Sequence, residues 1–210
     1  MTEGLEFSDC MRGRKMIHYD RTKAATTGKI FLREKILNLL RGQKEEERFR
    51  KSRGILKKLF AMREFKQART ILFYASFDGE VETFEMMKQA QRLGKKVALP
   101  AILKDQKKIV PALIENLDDD LQAGPYGIKE PNDVCLRFVE LEQIDLIIVP
   151  GIALDKNKNR LGRGKGYYDR FLSAVPATIP AFGLAFDFQI VDCLPHQEKH
   201  DVKVSRVIVN

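Results

Sequence analysis

Three glycines, Gly162, Gly164 and Gly166, alternate with Arg163 and Lys165; Arg160 precedes them, and Tyr167, Tyr168 and Asp169 follow. Glycine lets a backbone approach a ligand closely and adopt positive φ, and successive main-chain N–H groups in such a run form a nest for an anion. Three cations in one short loop suit the charge that builds up on a phosphoryl group in transfer. Asp169 is a natural magnesium ligand beside a phosphate cradle, because magnesium favours one or two carboxylates supplemented by phosphate oxygens and water. The run is not a Walker loop, since Gly166 follows Lys165 where Ser or Thr is needed, nor a dinucleotide fingerprint, since Tyr167 stands where glycine belongs. Read from its residues alone, the run binds phosphate, or binds single-stranded RNA by charge and stacking, or is a tight surface turn.

Such a loop has to be held by regular elements, and the flanking sequence supplies them. Leu146 to Val149 is a continuous apolar run, the mark of a strand buried on both faces, and it enters the loop through Pro150-Gly151. A helix is expected to leave the loop from about Tyr167 to Ala174, its N-terminus adding positive potential to the nest. Upstream, Thr70 to Ser76 reads as another buried strand, followed by a helix from about Thr83 to Leu93 that Gly94 stops. Lys96 to Leu99 reads as a strand ended by Pro100, Lys107 to Leu113 as a third, and Ala181 to Phe186 and Val204 to Val209 as the last two. Two helices come first. One starts at Thr26 or Thr27 as cap, buries Ile30, Phe31, Ile36, Leu37 and Leu40, and ends at Gly42; the next opens with Glu45, Glu46 and Glu47 and buries Phe49, Ile55, Leu56, Leu59 and Phe60. Strands alternating with helices imply an α/β fold with a largely parallel sheet flanked by helices, and ligands in such folds gather beyond the carboxyl ends of the strands.

With 210 residues and 44% apolar content, the chain has the size of one domain and can bury a core without disulfides or a structural metal. Its net charge of +8 is confined to the N-terminal third: residues 1–66 carry 18 Lys/Arg against 9 Asp/Glu, and the remainder carries 19 against 20. That excess reads as a solvated helix face beside a loosely ordered basic extension over residues 1–24, as a surface for a polyanion, or as a contact for a polyphosphate ligand. There is no apolar run long enough to span a bilayer and no apolar signal stretch, so no membrane partner is expected. Cys10, Cys135 and Cys193 are odd in number and widely spaced, which fits a reducing cytoplasm. His196 and His200 have a spacing that invites a zinc reading, but Pro195 beside them and the lack of a third ligand motif make them ordinary surface histidines. Phe182, Phe186 and Phe188 read as packing residues rather than a base-stacking platform.

The stretch from Asn159 to Asp169, preceded by Pro150-Gly151, resembles the signature of the 5-formyltetrahydrofolate cyclo-ligase family. Further landmarks fall in that family's order: Lys29 and Arg33 opening the first helix, Glu80 to Thr83 after a strand, Gly127 to Pro131, and Asp201-x-Lys-Val near the end. The resemblance covers residues 28–210 and implies a single three-layer α/β domain. It implies ATP as co-substrate with Mg2+, contacted by Lys29, Arg33 and the run Arg160, Leu161, Gly162, Arg163, Gly164, Lys165, Gly166, Tyr167 and Tyr168. It implies folate contacts from Tyr74, Glu80 and Arg163 to Tyr167, metal ligation by Asp169 and Asp201, and catalysis by Arg163 and Lys165. The expected activity is ATP-dependent closure of 5-formyltetrahydrofolate to 5,10-methenyltetrahydrofolate by a cytoplasmic monomer without a nucleic-acid partner. A basic RNA-binding module, and a kinase-like enzyme acting on another acceptor, are the alternatives to test against it.

Overall fold

The computed structural model describes residues 21–210 except 104, 125–126, 134–135, 196–197 and 199–200, with the side chains of residues 21–26 also outside the description. His196, His200, Cys135 and most of the expected N-terminal extension therefore lie outside the described residues.

The chain runs through α1 (Arg21–Gly42), α2 (Glu45–Ala61), α3 (Arg63–Gln67), β1 (Thr70–Leu72), α4 (Phe84–Arg92), β2 (Lys96–Leu103), β3 (Lys108–Ile114), β4 (Leu121–Ala123) and β5 (Lys129–Pro131). It continues through β6 (Leu146–Val149), β7 (Ala153–Asp155), β8 (Arg160–Leu161), α5 (Tyr167–Ala174), β9 (Ala181–Ala185), β10 (Ile190–Val191) and β11 (Arg206–Val209). Six strands form the main sheet in the order β11-β9-β6-β1-β2-β3, parallel except for β3, which runs antiparallel to β2.

Successive strand residues point to opposite faces, so each central strand feeds two cores. Ile71, Leu146, Ile148, Phe182 and Leu184 pack with Ile36 and Leu40 of α1, Ile55 and Leu59 of α2, and Met86, Met87 and Ala90 of α4. Their neighbours Leu72, Ile147, Val149, Ala181 and Ala185 pack on the other face with Phe171 and Leu172 of α5. This is the expected three-layer arrangement. The sheet's direction of growth reverses at β1: β2 lies on one side of it and β6, β9 and β11 on the other. In an open α/β sheet that reversal opens a crevice beyond the carboxyl ends of the two strands, here β1 and β6.

The structure corrects several expectations. Within the described residues α1 is already helical at Arg21, so it is not capped at Thr26 or Thr27; Lys23, Ala24 and Ala25 are good helix formers that keep the helix running through that segment. Its inward face is set by Leu32, Ile36 and Leu40, which leaves Ile30 and Phe31 outside at 48% and 67% exposure. Phe49, expected on the buried face of α2, is exposed instead, with the Arg48 guanidinium 4.8 Å from its ring. Pro100 does not end its strand: β2 runs on to Leu103, and Pro100 faces Pro111 across the antiparallel pair. Leu113 donates its N–H to Arg137 O, away from β2, so Pro111, two residues back, also points its nitrogen away. The two prolines thus occupy a pair that exchanges no ladder bonds.

Candidate functional site

β1 ends at Leu72, and the chain beyond it, through Tyr74 and Phe77 to Glu80, forms one wall of a cleft of about 1260 Å³. The segment beyond β6, from Pro150 to Asp169, forms the opposite wall, and Lys29, Arg33 and Arg41 of α1 close one side. Gly127 to Glu130, leading into β5, add a further side. The cleft therefore occupies the crevice that the strand order requires.

The loop read from the sequence as irregular contains a small second sheet. β7 and β8 pair antiparallel, β10 joins β7 in parallel, and Asp155 organises the turn between β7 and β8. Its Oδ1 accepts the main-chain N–H groups of Asn157 and Asn159, and its Oδ2 accepts Asn159 Nδ2 and the N–H of Leu194. Burial works to raise the Asp155 pKa, but the hydrogen bonds from Asn159, Leu194 and Asn157 outweigh it and hold the carboxyl below its usual range. The ionised Asp155 is thus a structural pin, and it had no signal in a sequence scan directed at phosphate chemistry.

The glycine loop hangs from this sheet. Gly164 (φ +97°) and Gly166 (φ +65°) occupy the left-handed region, and Gly166 caps α5 there. Arg33 of α1 donates from Nε to Gly162 O at 2.8 Å. Arg160 lies beneath the loop, its side chain 2% exposed, and donates from Nη2 to Asp169 Oδ1 at 2.7 Å. Two residues expected to serve ATP and magnesium are therefore joined in an ion pair whose Arg160 side is buried and whose Asp169 side is partly exposed. Lys29 is paired with Asp201 at 3.0 Å and Glu198 at 3.6 Å. Arg163 donates to Glu80 Oε1 and Asp78 Oδ2, both at 3.0 Å, and stacks over the Phe77 ring at 3.9 Å. Lys165 is exposed on the loop, and its carbonyl accepts Arg170 Nη2 at 3.2 Å. All the residues expected to contact ATP, folate or metal, from Lys29 to Asp201, line this one cleft, whereas the landmark residues Val81 to Thr83 and Asn159 do not. Asp78 and Phe77 carry no signal in the sequence beyond the turn that Asp78-Gly79 implies, and Arg41, 37 residues away on α1, carries none.

Among the described residues no three acidic, histidine or cysteine side chains converge as a ready metal cage. Asp169 and Asp201 each reach the cleft already bonded to a cation. This donor set fits a magnesium that brings phosphate oxygens with it, and does not fit a metal held by protein alone.

Glu80 is 4% exposed, and burial pushes its pKa from the ordinary 4.5 up to about 7, against the pull of Arg163 and the Phe77 N–H. Tyr74, hydrogen-bonded to Val81 O, and Tyr168 are both shifted upward, first by burial and then by the Glu80 charge. Because the folded state holds the Glu80 proton more tightly than the unfolded chain, stability falls as pH rises from about 4.5 to about 7 and is level above that. The expected change is at most about 3 kcal/mol. Urea unfolding at pH 4.5 to 8 measures it, and Glu80→Gln should flatten the profile; an unchanged slope in that variant would clear Glu80 of the effect.

The sheet and its switch-point cleft define the class, an α/β protein with its candidate site beyond the carboxyl ends of two adjacent parallel strands, β1 and β6. The chain matches the model of the 5-formyltetrahydrofolate cyclo-ligase family over residues 25–210. It is 31% identical over 188 residues to the 5-formyltetrahydrofolate cyclo-ligase of Mus musculus, covering 84% of this chain and 91% of the relative. It is 34% identical over 148 residues to the 5-formyltetrahydrofolate cyclo-ligase of Haemophilus influenzae, covering 70% and 78%. The 5,10-methenyltetrahydrofolate synthetase structure of Aquifex aeolicus superposes with a TM-score of 0.75 at 32% identity, over 86% of this chain and 89% of that one. This chain belongs to the 5-formyltetrahydrofolate cyclo-ligase family and is an enzyme of the ligase class.

Proposed function

We propose that the cleft binds ATP and 5-formyltetrahydrofolate and closes the five-membered ring of 5,10-methenyltetrahydrofolate, releasing ADP and phosphate. The observation that carries this reading is the loop from Arg160 to Asp169, which faces the wall from Tyr74 to Glu80 across a single cleft in a member of this family.

A formyl amide is a poor electrophile, and direct ring closure would have to expel oxide or hydroxide. Phosphorylation provides a better leaving group. The formyl oxygen attacks the γ-phosphorus, the bond to the bridging oxygen breaks, and ADP leaves. The neighbouring nitrogen then attacks the activated carbon and loses its proton, and the carbon–oxygen bond breaks to release phosphate. Arg163 and Lys165 stabilise charge on the transferring group, while Lys29 and Arg33 contact the nucleotide phosphates. Glu80 and Tyr74 face the folate, and the cleft holds the two reactants in line. Magnesium, bound with the nucleotide, would neutralise phosphate charge, and Asp169 and Asp201 are the carboxylates that would hold it.

The reading takes the enzyme to be cytoplasmic and monomeric, with ATP and the folate as its small-molecule partners. Charge excess is confined to the N-terminal third, the cysteines are widely spaced in the sequence, and no helix among the described residues is long and apolar enough to cross a membrane. The test is direct. Protein mixed with ATP, magnesium and 5-formyltetrahydrofolate should develop the near-ultraviolet absorbance of the methenyl product, with one ADP formed per ring closed. Phosphate release without that absorbance would point to a kinase or phosphatase on another acceptor, and tight, steeply salt-dependent RNA binding without turnover would point to the RNA module.

A further inference from the structure

The turn that carries Glu80 into the cleft is built for more than reversing the chain. Glu80 donates its main-chain N–H to Phe77 O at 3.1 Å, and the two residues between them, Asp78 and Gly79, both have positive φ, at 53° and 83°. Gly79 is pressed against the end of α1, where a Cβ would come within 2.2 Å of Leu40 O, and Gln43 Nε2 bonds both Leu40 O and Gly79 O at 3.2 Å. The turn is thereby fixed to the helix. It aims the Asp78 carboxylate between two guanidinium groups. Oδ1 accepts Arg41 Nε at 2.7 Å, while Oδ2 accepts Arg41 Nη2 at 2.9 Å and Arg163 Nη1 at 3.0 Å.

A row of alternating charge results, from Arg41 at the surface through Asp78 and Arg163 to the buried Glu80. Glu80 alone would hold Arg163 by one edge, through Nε and Nη2, and leave the guanidinium able to swing about that edge. Asp78 takes the other edge, and the Phe77 ring supports the face. Three of the five guanidinium N–H groups are then used, leaving one on each Nη for an oxygen of a bound reactant.

We propose that Asp78 is a positioning residue for ring closure, holding the Arg163 guanidinium so that its two remaining N–H groups meet the oxygen passing between formyl carbon and phosphorus. Arg41 is the outer counter-ion that keeps Asp78 in place. The inference rests on the cyclo-ligase reading of the cleft. It differs from a folding role, because asparagine has the same shape and tolerates positive φ equally well, so the turn does not need the charge.

Asp78→Asn is therefore the test, with wild type assayed beside it. The variant should fold and melt like wild type but lose about 10-fold in kcat, with KM for ATP and for the folate within about threefold, the pattern of an interaction made in the transition state. Its pH–rate profile should also move. The groups facing Glu80 are Arg163, Asp78, Tyr74 and Tyr168; removing the Asp78 charge takes away a repulsion and gives Glu80 a larger share of Arg163. The limb set by Glu80 should shift to lower pH. A variant with wild-type kcat and an unmoved limb, or one changed only in KM, overturns the positioning role while leaving the functional reading intact. A wild-type protein that makes no methenyl product overturns both.

Discussion

Lys165→Ala is expected to lower turnover by about 100-fold or more while leaving the unfolding midpoint where it was. The two halves of that expectation have separate causes. Lys165 is exposed between Gly164 and Gly166, and its side chain contributes nothing to either buried core, so its loss should cost the fold little. The loop's other outward cation, Arg163, is bonded to Asp78 and Glu80, and the Lys165 ammonium is a second, compact charge placed between two glycines of the loop. If it meets the phosphoryl group only as charge develops there, kcat and kcat/KM should fall together. Steady-state kinetics with both substrates decides this, and near-normal turnover removes Lys165 from the mechanism.

Asp169→Ala should act on stability instead, costing about 3–5 kcal/mol in urea unfolding. Its partner Arg160 has a side chain 2% exposed; among the described residues its other hydrogen bond is a long one of 3.4 Å to Pro150 O, its Nε has no hydrogen-bond partner, and its guanidinium lies 5.6 Å from the Tyr168 ring centre. Without the carboxylate, a guanidinium charge is stranded beneath the glycine loop. Arg160→Met combined with Asp169→Leu removes both charges and should recover most of the loss. The measurement is made without nucleotide or magnesium, so it is independent of any metal contact by Asp169. A loss below about 1 kcal/mol would mean that water screens the pair as it does at a surface.

What the sequence made legible follows from range. Leu146 to Val149 and Tyr167 to Ala174 were read with their observed ends because the signals are local: an unbroken apolar run before Pro150, and a helix starting after Gly166. β7 and β8 were passed over as loop because strands of three and two residues show no period. Pro100 misled because its tolerance depends on where the partner strand places its donors, and only β3 determines that. The site divides the same way. The nest from Gly162 to Gly166 is contiguous and could be read directly, whereas the partners of Arg163 lie 83 and 85 residues away, across the switch point. Asp169 and Arg160 were each named, but their pairing with one another was not, since a β-hairpin and a helix had to be folded before the two could meet.

Six strands side by side leave two outer margins where backbone donors and acceptors invite a stranger's strand. Here both are blunted. Beside β3, Val139 donates to Pro111 O and Arg137 accepts from Leu113, so the chain's own segment fills that seam. At β11, Lys58 takes Val209 O at 2.7 Å, and Arg206 sits on the rim with Glu64 as its ion partner at 3.4 Å. Crowded copies of this enzyme accordingly find little purchase for zipping together along this sheet, and Pro111, in the outermost strand β3, withholds one further hydrogen from any such encounter.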